Sequence, residues 1–195
     1  HYDAHGRVQV QCEVDVLRRL VVVRERRQAA VEPARLGLGD TGRSERLDQP
    51  GGGVRGEAVG VAGTAIIDVV GDSGLIDLIE GSKVATEDAR RNFSAFKNVT
   101  IATGDVAKLL PRVSAADVVV LDPPREGAGK DVIALITALK PRAIVYVACD
   151  PAALARDTAY LEDHSYSLAS LRAFDLFPMT HHIECVALYE RAEVS

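Results

Sequence analysis

A cysteine at the tip of an apolar run is the residue of this chain with the most evident chemistry. The segment YVACDP (146–151) puts Cys149 at the end of a strand-like stretch, with Pro151 opening a helix. A thiol there faces the crevice beyond the strand ends, and a helix N-terminus beside it would favour the thiolate, so the position suits a nucleophile. Most single cysteines are small buried apolar residues, and the strand-tip position is what sets Cys149 apart. The run LDPPREGAG (121–129) is the second such feature. Two consecutive prolines fix φ near about −65° and remove two backbone donors, so the chain leaves the sheet stiffly with Asp122 held at the strand tip. The plain alternative is a rigid loop. Glu80 and Asp105 are acids at two further strand ends. A carboxylate at the end of a second strand suits the ribose hydroxyls of a nucleoside cofactor, because its two oxygens accept both O–H donors. Taken singly, each acid is more commonly a helix cap or turn residue.

The elements that would position these residues are legible from about Leu75 onward. LIDLIE (75–80), VTIAT (99–103), DVVVLD (117–122) and AIVYVAC (143–149) are short apolar runs that read as strands. Between them, TEDARRNFSAF (86–96) spaces Ala89, Phe93 and Phe96 as a helix does, with a threonine as its N-cap, and VIALITALK (132–140) is a helix stopped by Pro141. A further helix, AALARDTAYLED, follows Pro151. Apolar runs without alternation, separated by helices, imply a parallel sheet covered on both faces, which is a doubly wound α/β fold. Strand segments at 167–174 and 185–189 lie close enough in sequence for an antiparallel edge pair. Ligands of such sheets bind outside the C-terminal strand ends, where Glu80, Asp105, Asp122 and Cys149 all fall.

The N-terminal part reads differently. No aromatic residue lies between Tyr2 and Phe93, 13 of the 16 glycines fall in residues 1–92, and through Arg55 the basic residues are ten Arg and no Lys. The stretch 37–63 is dense in Gly, Arg and Asp and has little with which to fill a core. We therefore expect an irregular or atypical region over 1–74 and a compact domain over 75–195, although residues 8–23 alternate well enough for a strand or hairpin. The net charge of −5 argues against a broadly basic nucleic-acid surface while leaving room for a local basic rim. Three scattered cysteines without a CxxC pair point to reduced thiols and away from a disulfide framework, zinc or an iron–sulfur cluster. No run approaches the about 18 apolar residues of a membrane helix. The start lacks the basic and apolar regions of a secretory signal. These features predict a cytoplasmic chain with neither membrane nor metal partner.

Three segments in order, VVLDPPREGAG, VYVACDPAALARDTAYL and LRAFDLFPMTHHIECVAL, resemble the RNA 5-methyluridine (uracil-C5) methyltransferases of the tRNA and 23S rRNA type. The resemblance covers about Leu75 to Tyr189. It implies a Rossmann-like class I fold, S-adenosylmethionine as cofactor and a uridine of tRNA or rRNA as substrate. By this resemblance Cys149 matches the nucleophile, Glu184 of HHIE the general base, and Glu80, Asp105 and Asp122 the cofactor contacts. Such chemistry needs a thiolate to add to uracil C6 so that C5 can attack a methyl group, and a carboxylate to remove the C5 hydrogen afterwards. Phe177, His181 and His182 are positions that could line the base pocket. Members of the family carry a strand, a glycine-rich loop and a helix ahead of the second strand. Here GDSG leaves only four residues between the apolar runs 65–70 and 75–80, too few for a parallel crossover. Two other readings are an inactive Rossmann-like remnant that binds RNA or protein, and an amino-group methyltransferase with a DPP-type strand tip. The latter normally has an aromatic where Arg125 stands, and needs no thiol.

Overall fold

The computed structural model describes residues 19–25, 74–175 and 183–192; in 19–25 it describes the backbone alone. The strands are β1 (Arg19–Glu25), β2 (Gly74–Glu80), β3 (Val99–Thr103), β4 (Val118–Asp122), β5 (Ala143–Ala148), β6 (Tyr166–Phe174) and β7 (Glu184–Arg191). The helices are α1 (Lys83–Asn92), the single turn α2 (Val106–Leu109), α3 (Gly129–Ala138) and α4 (Pro151–Asp163). One seven-stranded sheet runs in the order β3-β2-β1-β4-β5-β7-β6. Strand β2 is parallel to β3, and β4 to β5, whereas β7 is antiparallel to both β5 and β6. The expected antiparallel pair at the C-terminal edge is therefore present. So are the strands anticipated at 75–80, 99–103, 117–122 and 143–149, each within a residue of its expected bounds.

Alternating side chains distribute the strands over two cores. Ile76 and Leu78 of β2 pack with Ala89 and Phe93 of α1 on one face, joined by Val118 and Val120 of β4. The opposite face gathers Ile79, Val119, Leu121, Ile144, Tyr146, Ala187 and Tyr189 under Val106, Ile133, Ile136, Leu154 and Leu161 of the other helices. Helices on both faces make the sheet doubly wound, as the unbroken apolar runs require. Burying each such Leu or Ile contributes about 1.5–3 kcal/mol.

Two elements begin elsewhere than expected. Helix α1 starts at Lys83, with Ser82 as its cap: the Ser82 hydroxyl accepts the Ala85 N–H at 3.3 Å. Thr86, the anticipated cap, is buried inside the first turns and donates its hydroxyl to the Ser82 carbonyl at 2.6 Å. Both residues can cap a helix, and the earlier start turns Thr86 onto the buried face beside Ala89. In the N-terminal part, β1 takes 19–23 of the alternating stretch and the two residues after it, and 8–18 and 65–70 lie outside the described residues. Strand β1 fills the slot between β2 and β4 and is antiparallel to both, with Arg19 opposite Glu80 on one side and Asp122 on the other.

Candidate active site

Strands β2, β3, β4 and β5 end on the same edge of the sheet. Glu80 is the last residue of β2 and is fully buried; its Oε1 accepts the Ser82 N–H at 2.7 Å, which fixes the turn into α1. Asp105 follows β3 and caps α2, accepting the Ala107 N–H at 2.8 Å. These two acids thus do the local capping work that strand-end acids usually do. Asp122 ends β4, half-buried, where Pro123 and Pro124 carry the chain away.

Beyond the prolines, the chain turns back on itself. The Gly127 N–H donates to the Pro124 carbonyl at 2.8 Å, closing a four-residue turn with Arg125 and Glu126 at its corner. Gly127 has φ +82°, and a Cβ there would lie 2.5 Å from Asp157 Oδ2 of α4, so only glycine allows this approach. Asp157 is fully buried. Its Oδ2 accepts the Ala128 N–H at 2.7 Å, the Gly129 N–H at 3.2 Å and the Tyr146 hydroxyl at 2.7 Å. Its Oδ1 pairs with Arg156 at 3.0 Å, and Arg156 also donates to the Glu126 carbonyl. Burial and the hydrogen bond to Asp157 hold the Tyr146 hydroxyl far above the ordinary tyrosine value.

Cys149 lies one residue past β5, and the β5–β7 register pairs Ala148 with Cys185. Carried one step further, that register puts Cys149 opposite Glu184, the first residue of β7. Directly opposed residues in an antiparallel pair have Cβ atoms roughly 5 Å apart and point to the same face. Burial pushes the half-buried Cys149 thiol above the ordinary cysteine value, Glu184 pushes it the same way, Arg125 opposes them and Asp122 adds a further upward push. The structure therefore brings Cys149, Glu184, Asp122 and Arg125 within electrostatic reach of one another. The expected help from a helix N-terminus does not prevail: Asp150 caps α4, its Oδ1 taking the Ala152 and Ala153 N–H groups at 2.8 and 2.9 Å, so the first-turn donors are already occupied by a carboxylate. Cys185 is buried in the core, its thiol likewise raised by burial first and Glu184 second. Phe177, His181 and His182 lie outside the described residues.

Arg125, Tyr146 and Asp157 did not emerge from the sequence as site residues. Asp157 does leave a signal there, since it occupies the inward stripe of α4 shared with Ala153, Leu154 and Leu161, and an acid on an apolar helix face demands partners. Among the described residues, no group of three or more His, Cys, Asp or Glu could hold a metal ion, and no helix is long and apolar enough to cross a membrane.

Comparison with known proteins bears on the family and the fold. An RNA methyltransferase of Streptomyces avermitilis, itself uncharacterised, is 53% identical over 136 residues, covering 69% of this chain and 31% of that protein. One from Bifidobacterium longum is 42% identical over 158 residues, covering 71% and 36%. The chain thus spans about a third of the length of these relatives. Among solved structures, the Pyrococcus abyssi tRNA (uracil-54, C5)-methyltransferase in complex with S-adenosyl-L-homocysteine is 32% identical with a TM-score of 0.50, over 57% of this chain and 27% of that one. A SAM-dependent O-methyltransferase from Thermotoga maritima, 15% identical, superimposes with a TM-score of 0.53 over 72% of this chain and 59% of its own, which identifies the fold as the Rossmann-like one of methyltransferases. The model of the tRNA (uracil-5-)-methyltransferase family matches residues 89–192, just over half of the chain, and the chain belongs to that family.

Proposed function

We propose that the chain transfers a methyl group from S-adenosylmethionine to C5 of a uridine in tRNA or rRNA, through a covalent bond between Cys149 and C6 of the base. The observation that carries this reading is the cross-strand position of Cys149 and Glu184 at the ends of β5 and β7, with Asp122 and Arg125 acting on the same thiol. Uracil C5 is a poor nucleophile. Once deprotonated, Cys149 adds through Sγ to C6, and the electron pair of the C5=C6 bond makes C5 able to attack. After C5 has taken the methyl group, Glu184 removes the C5 proton, the electron pair restores C5=C6, and the bond to Cys149 breaks. The thiol leaves unchanged. A base stacked in a helix could not meet a half-buried thiol, so the substrate is a loop uridine or one flipped from its stack.

The cofactor fits the carboxylates on this edge by donor chemistry. Glu80, Asp105 and Asp122 are acceptors at or just past the ends of β2, β3 and β4, with β1 lying between the first and the last, and their oxygens suit the hydroxyl and amine donors of S-adenosylmethionine. Bound there, it supplies an electrophilic methyl group. The reading makes the chain a cytoplasmic RNA-modifying enzyme that works without a metal.

RNA containing 5-fluorouridine tests the proposal. Fluorine cannot be removed as a proton, so the adduct should stay covalently bound to the protein, and Cys149→Ala should abolish it. Trapping that persists in the alanine variant overturns the assignment. One observation favours a second reading, a Rossmann-like remnant that binds RNA or protein without turnover. Strand β1 is antiparallel between β2 and β4, so its beginning, Arg19, and not its end, stands between Glu80 and Asp122. Calorimetry with S-adenosylmethionine separates the two, since absence of binding heat at millimolar cofactor supports the remnant.

A further inference from the structure

We infer that Asp157 is a positioning residue for this site: buried between α4, β5 and the loop after β4, its carboxylate clasps that loop and so fixes the turn from which Arg125 reaches the field of Cys149. The inference rests on the reading of Cys149 as nucleophile.

Three segments converge on one carboxylate. The loop 123–128 donates from its far end through Ala128, and Gly129 of α3 donates beside it. Tyr146 donates from β5, three residues before Cys149. Asp157 itself sits on α4, which begins two residues after Cys149. The clasp therefore joins the strand that carries the thiol, the helix that follows it and the loop that carries Arg125. Helix α3 has no side-chain cap of its own at Ala128, so Asp157 supplies from a neighbouring helix the anionic acceptor that its first N–H groups need.

The loop is fixed at both ends. Pro123 and Pro124 stiffen its start, and the 2.8 Å turn closed by Gly127 presents Arg125 at the corner. Gly127 then rests against the carboxylate with no room for a Cβ. A fully buried carboxylate is an expensive way to join two helices, because its desolvation must be offset by several donors at once. Here four residues donate to it, Tyr146 and Arg156 from the two elements that flank the thiol and Ala128 and Gly129 from the end of the loop and the start of α3. Arg125 is the cation that acts on Cys149 against the anionic Glu184 and Asp122, so displacing the loop alters the charge balance at sulfur.

The test reads the thiol directly in the full chain, without RNA or cofactor. Iodoacetamide labelling of Cys149, resolved from Cys12 and Cys185 by peptide mass mapping, is followed against pH. Asp157→Asn and Gly127→Ala should each raise the labelling midpoint by about half a pH unit, as loss of a nearby cation does. Arg125→Gln should give the same shift, and Asp157→Asn added to it should move the midpoint no further. If Asp157→Asn fails to fold, Gly127→Ala carries the test, because it pushes the loop away and leaves the carboxylate in place. A lowered thermal midpoint with an unmoved labelling midpoint in the folded variants would overturn the inference, as would full additivity with Arg125→Gln. Failure of the 5-fluorouridine trap would remove the proposed reaction while leaving this measurement standing, so the two outcomes are separable.

Discussion

Replacing Glu184 by glutamine should move two properties of the site in opposite directions. Glu184 faces Cys149 across the end of the β5–β7 ladder, and its charge raises the thiol. Taking the carboxylate and thiolate as about 6 Å apart, their repulsion is about 0.7 kcal/mol at the dielectric of water and about 3 kcal/mol at an effective value of about 20. Both groups are partly exposed, so the lower half of that range applies, and the midpoint for Cys149 labelling should fall by about 0.5–1 pH unit. The labelling rate near neutral pH should rise by less, about two- to threefold, because a less basic thiolate is also a weaker nucleophile. On the proposed mechanism the same variant loses the base that removes the C5 proton. Released methylated RNA should then fall about 10²–10⁴-fold while a covalent protein–RNA species accumulates. Labelling profiles by mass spectrometry and denaturing gels of the RNA reaction measure the two effects. A midpoint that rises or stays fixed refutes the electrostatic argument; product release at the wild-type rate refutes the role of Glu184.

Three further outcomes rest on the fold. Burial raises the hydroxyls of Tyr146, Tyr166 and Tyr189 above the value they have when unfolded, so their contribution to stability is complete below the unfolded value of about 10 and is lost as the pH climbs from there toward the raised folded values. Denaturant midpoints should decline as the pH rises from about 10 to about 12, and a flat profile there would contradict the burial of these rings. Asp150→Ala removes the cap of α4 and should cost about 1 kcal/mol in equilibrium unfolding, while the uncapped helix end beside Cys149 lowers the labelling midpoint. Leu161→Ala, at a fully buried position of α4, should cost about 2–5 kcal/mol. A loss below 1 kcal/mol would mean that the interface of α4 with the sheet is not packed as described.

The parts of this fold that the sequence disclosed are those whose pattern is local. Parallel strands buried on both faces appear as unbroken runs such as VVVLD and AIVYVA, and their ends identify the reactive edge without any knowledge of partners. Helix starts were less legible. Ser82 and Thr86 both qualify as caps, and α3 begins at Gly129, three residues before its apolar run, because its cap is supplied by Asp157 from another helix. The orientation of β1 had no local signature at all. Its partners β2 and β4 lie about 50 and 100 residues further along the chain, and an alternating stretch reads the same for either direction. Within the site, Cys149 and the DPP turn were visible as sequence, whereas the Tyr146–Asp157 clasp was not, since a tyrosine in a buried strand and an acid in a helix each have ordinary explanations until their 2.7 Å contact is known.

The arrangement sets a conflict that the proposed reaction must resolve. A base close enough to take a proton from C5 is also close enough to disfavour the thiolate that has to attack C6, and Glu184 does raise the Cys149 thiol. Arg125 is the cation that opposes this effect, and it stands at the corner of a turn anchored to a buried carboxylate. On this reasoning formation of the adduct, rather than its resolution, is the step that limits the rate at neutral pH. The rate of trapping by 5-fluorouridine RNA should therefore climb with pH through the ordinary cysteine range of about 8.5 and continue beyond it. A trapping rate that is flat from pH 7 to 9 would show that the thiol is already ionised, and that some group other than Arg125 outweighs burial and Glu184 at the sulfur.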